Sequence, residues 1–188
     1  MFAIPPKRAN PVPLKDQLEA FLKKQHGDDI SKYQDDVNAL HQLRQAAASV
    51  TTSLDNQGMQ NIARYNYHLK ALVQRLAGYE NETKLTFTWT DAFVPTKKVS
   101  NSSLHYEWAC LLWNMASFES NKGASMDRSK EDGIRQALKC FQQAAGIYDF
   151  IMASVLPYIP PQCGQRNPEI SEDGMQVAKK VSTNKRNN

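Results

Sequence analysis

The stretch Leu104–Phe118, LHYEWACLLWNMASF, constrains the fold more than any other part of the chain. At helical spacing Leu104, Trp108, Leu111, Leu112 and Met115 form one apolar stripe, while Ala109, Cys110, Trp113 and Ala116 fill much of the opposite side. A helix that is apolar nearly all round cannot face water and must be wrapped by others. Each large side chain buried there contributes roughly 1.5–3 kcal/mol, against a typical domain stability of about 5–15 kcal/mol. This helix is therefore expected at the centre. Its partner follows in IRQALKCFQQAAGIYDFIMASV from Ile134, whose broad apolar face includes Ala137, Leu138, Phe141, Tyr148 and Ile151. Asn121–Gly123 reads as a stop and Ser129, three residues before Asp132, as an N-cap. Together the two segments predict an antiparallel helical hairpin. Gly146 costs about 1 kcal/mol of helix propensity relative to Ala, so a close helix approach is expected at that position.

Elsewhere the same periodicity predicts helices over Leu14–His26, from Ser31 to about Val50, and over roughly Met59–Ala77. The loop SLDNQG separates the last two. Leu85–Thr90 changes period: Leu85, Phe87 and Trp89 alternate with threonines, as a strand with one buried face does. Phe2–Ile4 is expected to pair with it as an edge strand, with Lys97-Lys98 in a loop. After Leu156, PYIPPQCGQRNPEI reads as a loop, and no further core helix is expected.

With 188 residues the chain can hold one medium domain and bury a real core. Twenty-three Lys and Arg against nineteen Asp and Glu give +4, a mild excess without a block of like charge. Cys110, Cys140 and Cys163 occur singly, and the first two lie on apolar helices, so reduced core thiols of a cytosolic protein are expected. MFAIPPKRANPVP lacks the apolar run of a secretory leader, and nothing approaches the length of a membrane span.

No GxSxG, phosphate-binding glycine loop, HExxH or metal-spaced Cys/His cluster occurs, and the four histidines fall on separate helices. Enzyme chemistry and cofactors are not expected. Nucleic-acid binding is not expected either, because the charge is modest and the aromatics occupy apolar helix positions. The third helix has an uneven pattern: no acidic residue falls between Asn56 and Tyr79, while Arg64, His68 and Arg75 share a stripe with Lys70 to the side. That is either a solvated face or a surface for peripheral contact with acidic membrane.

Several motifs recur in family order: FAIPPKR at the N-terminus, LHQLRQAAA in the second helix, LTFTWTDAF (Leu85–Phe93), SLHYEWACLLWNMAS (Ser103–Ser117), the acidic-Gly-Ile-basic run Glu131–Arg135, and CFQQAAGIYDFI (Cys140–Ile151). In order and spacing, over about Phe2–Asp173, they resemble the Bro domain of ALIX and its relatives. The resemblance implies a mainly α fold, a tetratricopeptide-like helical solenoid with a small β-sheet near the N-terminus. It implies a non-enzymatic adaptor of the endosomal sorting pathway, cytoplasmic and recruited to endosomes. Its implied partner is the C-terminal helix of an ESCRT-III subunit, of the Snf7 or charged multivesicular body protein type, held in a concave groove. Glu131 and Arg135 match the family's acidic and basic groove positions; the other reading is a local ion pair at the helix start. The resemblance ends near Gly174, so residues 1–173 are expected to be the N-terminal half of a Bro domain. Residues 174–188 are expected to form a divergent, polar and basic, disordered tail. A different peptide ligand, or a truncated product without function, are the alternatives.

Overall fold

The computed structural model describes residues 2–49, 56–76 and 78–183. Among them the helices are α1 (Leu14–His26), α2 (Ser31–Ala48), α3 (Asn56–Leu76), the short α4 (Glu80–Thr83), α5 (Leu104–Ser125), α6 (Glu131–Ser154) and α7 (Glu172–Thr183), with strands β1 (Phe87–Thr90) and β2 (Lys98–Asn101) between α4 and α5. Residues 50–55 and 184–188 lie outside the described residues, and with them the first half of the expected loop SLDNQG; its second half, Asn56–Gly58, is instead the start of α3.

α5 is the centre, as its all-round apolarity requires. Tyr106, Ala109, Cys110, Trp113 and Ala116 have no measurable exposure. α3 and α6 both pack against α5, while α2 lies against α3, α1 against α2, and α7 against α6. The fold is thus a succession of helix pairs carrying a two-stranded hairpin. α6 follows α5 after a short link and buries Ala137, Cys140, Phe141, Ala144, Tyr148 and Ile151. This is the expected hairpin.

Its details differ from the sequence reading in three places. α5 runs through Asn121–Gly123 to Ser125. Asn121 does not stop it, because its amide donates to the carbonyls of Ser117 and Ile4. Gly123 is where the helices come together: a Cβ there would meet the Ala137 carbonyl and the Cys140 Cβ at 3.1 Å. The predicted close approach at Gly146 is absent, since no heavy atom lies within 4 Å of a Cβ built there. Finally, Lys130 occupies the cap position of α6, and Ser129 instead donates its backbone N–H to the Asp127 carboxylate at 3.0 Å.

The expected pairing of Phe2–Ile4 with the strand is also corrected. β1 pairs antiparallel with β2, Phe87 opposite Asn101 and Thr90 opposite Lys98, so Lys98 belongs to a strand. The Asp91 carboxylate closes the intervening turn by accepting from the N–H groups of Phe93 and Val94. The N-terminal segment reaches β1 further along the chain, where Asn10 N–H donates to the Thr88 carbonyl and Thr90 N–H to the Arg8 carbonyl, both at 2.9 Å. Ile4 is instead held by α5, its N–H donating to Ser120 Oγ and its carbonyl accepting from Ser117 Oγ. Phe2, 68% exposed, contributes no buried strand residue.

The largest departure is at the C-terminus. The expectation of no further core helix, and of disorder over residues 174–183, is overturned by α7, which buries Met175, Ala178 and Ser182 against α6; the remainder of the expected tail, 184–188, lies outside the described residues. Apolar and small side chains at i, i+3 and i+7 suffice for a narrow buried stripe on an otherwise polar helix. Lys179 adds an ion pair to Asp149 of α6 at 2.7 Å. Gly174 lets the preceding loop fold over the first turn of α7, because a Cβ there would lie 2.5 Å from the Glu169 Cα.

Candidate peptide groove on the sixth helix

Glu131 and Arg135 stand on the first turns of α6, both largely exposed, with Arg135 Nη2 donating to Glu131 Oε1 at 2.5 Å. The local i,i+4 pair therefore exists. What surrounds it is apolar: Ile134 is 51% exposed and Leu138 38% exposed. Residues 131, 134, 135 and 138 fall on one side of the helix, one turn apart. An ion pair next to two unburied β- and γ-branched side chains gives α6 an amphipathic strip that the other described residues leave open.

The glycine between the charges has a steric role. A Cβ at Gly133 would come within 1.7 Å of the Asp127 carbonyl oxygen, so the loop before α6 folds tightly over the first helical turn only with glycine there. Asp127 is fixed in turn by the N–H of Ser129, and that hydrogen bond lowers its pKa below the usual carboxylate range. The acidic-Gly-Ile-basic run is thus a tightly folded corner that presents Glu131, Ile134 and Arg135 together.

Arg64, His68, Lys70 and Arg75 of α3 are all exposed. None of the four makes an ion pair among the described residues. Arg64, His68 and Arg75 share one stripe, whereas Lys70 is about half a turn away and does not join it. These residues are remote in sequence and element from Glu131 and Arg135, and the fold does not bring the two groups into one site.

Sequence reasoning passed over the buried polar centre that positions these elements. Glu107 of α5, 1% exposed, accepts from Arg44 Nε of α2 at 3.0 Å, Tyr65 Oη of α3 at 3.2 Å and Trp89 Nε1 of β1 at 2.6 Å. Arg44 also donates to the Asn10 carbonyl. Burial, followed by the Glu107 charge, pushes the Tyr65 hydroxyl well above its ordinary pKa. A second buried pair, Lys7 with Glu169, ties the N-terminus to the loop before α7, and Glu169 also accepts from Ala92 N–H at 2.8 Å. The signal was present: Arg44 is in helical phase with the buried Val37 and Ala47, and Glu107 interrupts an apolar helix. Burying such charges requires partners.

The family model described as a BRO1-like domain matches residues 1–183. The chain belongs to the BRO1-like domain family. Its match extends through α7, so that helix is part of the domain and not an unrelated tail. The vacuolar protein-sorting protein bro1 of Aspergillus fumigatus is 30% identical over 156 residues, covering 83% of this chain and 16% of that protein. Tyrosine-protein phosphatase non-receptor type 23 of Mus musculus is 30% identical over 146 residues, covering 77% of this chain and 8% of the relative. Among solved structures, an ALIX BRO1–CHMP4C complex matches with a TM-score of 0.81 at 24% identity, covering 97% of this chain and 53% of that one. ALIX in complex with a SIVmac239 late-domain peptide matches with a TM-score of 0.81 at 25% identity, covering 97% and 27%. This BRO1-like chain therefore spans about half the length of the first solved relative and about a sixth of the fungal one. The mainly helical fold with its small sheet is that of the ALIX domain.

Proposed function

We propose that the chain is a non-enzymatic adaptor module of endosomal sorting, cytoplasmic and recruited to endosomes. On this reading it binds the C-terminal amphipathic helix of an ESCRT-III subunit of the Snf7 or charged multivesicular body protein type. The observation that carries the reading is the open strip of α6, where Ile134 and Leu138 remain exposed beside Glu131 and Arg135. A solved relative with the same fold is a complex with CHMP4C, which supports the choice of partner class. The two apolar side chains act as anchors. Such anchors provide most of the affinity in a helix-in-groove complex, while rim charges set orientation and on-rate.

Titration of a labelled ESCRT-III C-terminal helix by fluorescence anisotropy tests this. Leu138→Asp should weaken binding about tenfold or more, and Glu131→Lys combined with Arg135→Glu only severalfold. Absence of binding, or binding that Leu138→Asp leaves unchanged, contradicts the proposal.

A further inference from the structure

α1, α2 and α3 enclose a trough of about 600 Å³ on a different part of the molecule. Phe21 and Val37 are buried on its floor. Its walls carry Leu22, Tyr33, Leu40, Leu43, Leu72 and Leu76, all of intermediate exposure. These are the positions that helical periodicity assigns to the core, yet the three helices leave them half open. From Tyr33 to Leu43 the wall runs ten residues along α2, about 15 Å at 1.5 Å rise per residue. That is the length of roughly three turns of a docked helix.

The groups lining the trough differ in charge from helix to helix, with His26 of α1 beside those of α2 and α3. His68 and Arg75 stand on the lip formed by α3, and Asp36 on the lip formed by α2. None of the three makes an ion pair among the described residues. His68 touches only the ring of its neighbour Tyr67 among the ring contacts described. No acidic residue follows on α3 to neutralise its lip. An acyl chain with an anionic headgroup would be attracted at one lip and repelled at the other. A polypeptide helix can carry acids on one flank and bases on the other.

We propose that this trough is a second peptide-docking site, taking a partner's amphipathic helix of about three turns. The helix has a leucine-type stripe, acidic residues on the flank facing α3 and a basic residue on the flank facing α2. The site is separate from the α6 strip and does not depend on it.

The test uses three fluorescein-labelled helical peptides with one leucine stripe, differing only in their flanks: one flank glutamate and one lysine, both glutamate, or both lysine. With the whole 188-residue chain the mixed peptide should bind tightest in fluorescence anisotropy, and Leu40→Ala or Leu72→Ala should weaken it about tenfold. His68→Glu with Arg75→Glu, at exposed positions that leave the helix intact by circular dichroism, makes both lips acidic. Preference should then move to the all-lysine peptide. Glu131→Lys with Arg135→Glu should change none of these affinities. Three peptides bound equally, or a preference that the double variant does not move, overturns the proposal. So does binding only to phosphatidylserine vesicles, lost on Arg75→Glu, which assigns the basic lip to a membrane. A chain whose self-association is abolished by Leu72→Asp while no peptide binds assigns the trough to a second copy, and equally overturns it.

Discussion

Glu107 joins four elements through three hydrogen bonds, and its energetics differ from those of the apolar core around it. Removing one partner leaves the other charge buried without compensation, which costs about 3–5 kcal/mol, whereas replacing both by apolar residues of similar volume is often nearly neutral. Glu107→Gln should therefore lower stability in urea by that order, and Arg44→Met with Glu107→Gln, which keeps an acceptor for Tyr65 and Trp89, should recover much of the loss. If the double variant is as unstable as the sum of the single ones, the cluster is not a coupled unit. His105 is a smaller, pH-dependent case. Half-buried and stacked on Tyr158 at 5.6 Å, it has its pKa lowered by burial, with Glu80 acting in the opposite sense. The unfolded chain then binds this proton more tightly than the folded one. His105 costs nothing at pH well above its unfolded value near 6.5 and becomes destabilising as pH falls below it. Between pH 7.5 and 5.5 the thermal midpoint of the native chain should fall more than that of His105→Gln. Equal decreases would contradict the assignment.

At the scale of elements, α6 tests the helical phase and the one glycine whose explanation changed. Phe141 is 1% exposed and Gln142 is exposed, so Phe141→Ala should cost about 3–5 kcal/mol through the cavity it leaves, and Gln142→Ala almost nothing. Gly146 is exposed with open space about its Cα, so Gly146→Ala should raise stability by about 1 kcal/mol. Equal midpoints for the first two variants, or a destabilised third, would show the helix to be rotated from its described position. The pairing of α5 with α6 was legible because broad apolar faces must find each other. Periodicity also placed α1, α2 and α3. The strand partner was not legible, because β2 (KVSN) has one half-buried apolar side chain and owes its place to the Asp91 turn and to Asn101, which donates to the Gly164 and Gln165 carbonyls. α7 was missed for a related reason: its stripe is three residues wide, and a composition-based reading weighs the polar remainder more heavily.

For the molecule as a whole, sequence motifs recurring in order sufficed to indicate the family, and the match over residues 1–183 places the chain in it. The acidic-Gly-Ile-basic run was legible as charges, whereas its glycine became intelligible only from the Asp127 carbonyl packed against it. Half-exposed leucines between α2 and α3 read as core in the sequence, since periodicity reports the side a residue faces and not whether a third helix closes over it. Two apolar surfaces stay open among the described residues, on α6 and among α1, α2 and α3, and each is proposed to take a partner's helix. Backbone amide shifts of the isotopically labelled chain during titration with an ESCRT-III C-terminal helix test that account at its centre. The account predicts perturbations concentrated on Glu131–Leu138, with α3 unaffected. Perturbations confined to α1–α3, or none on α6 at saturation, would contradict it.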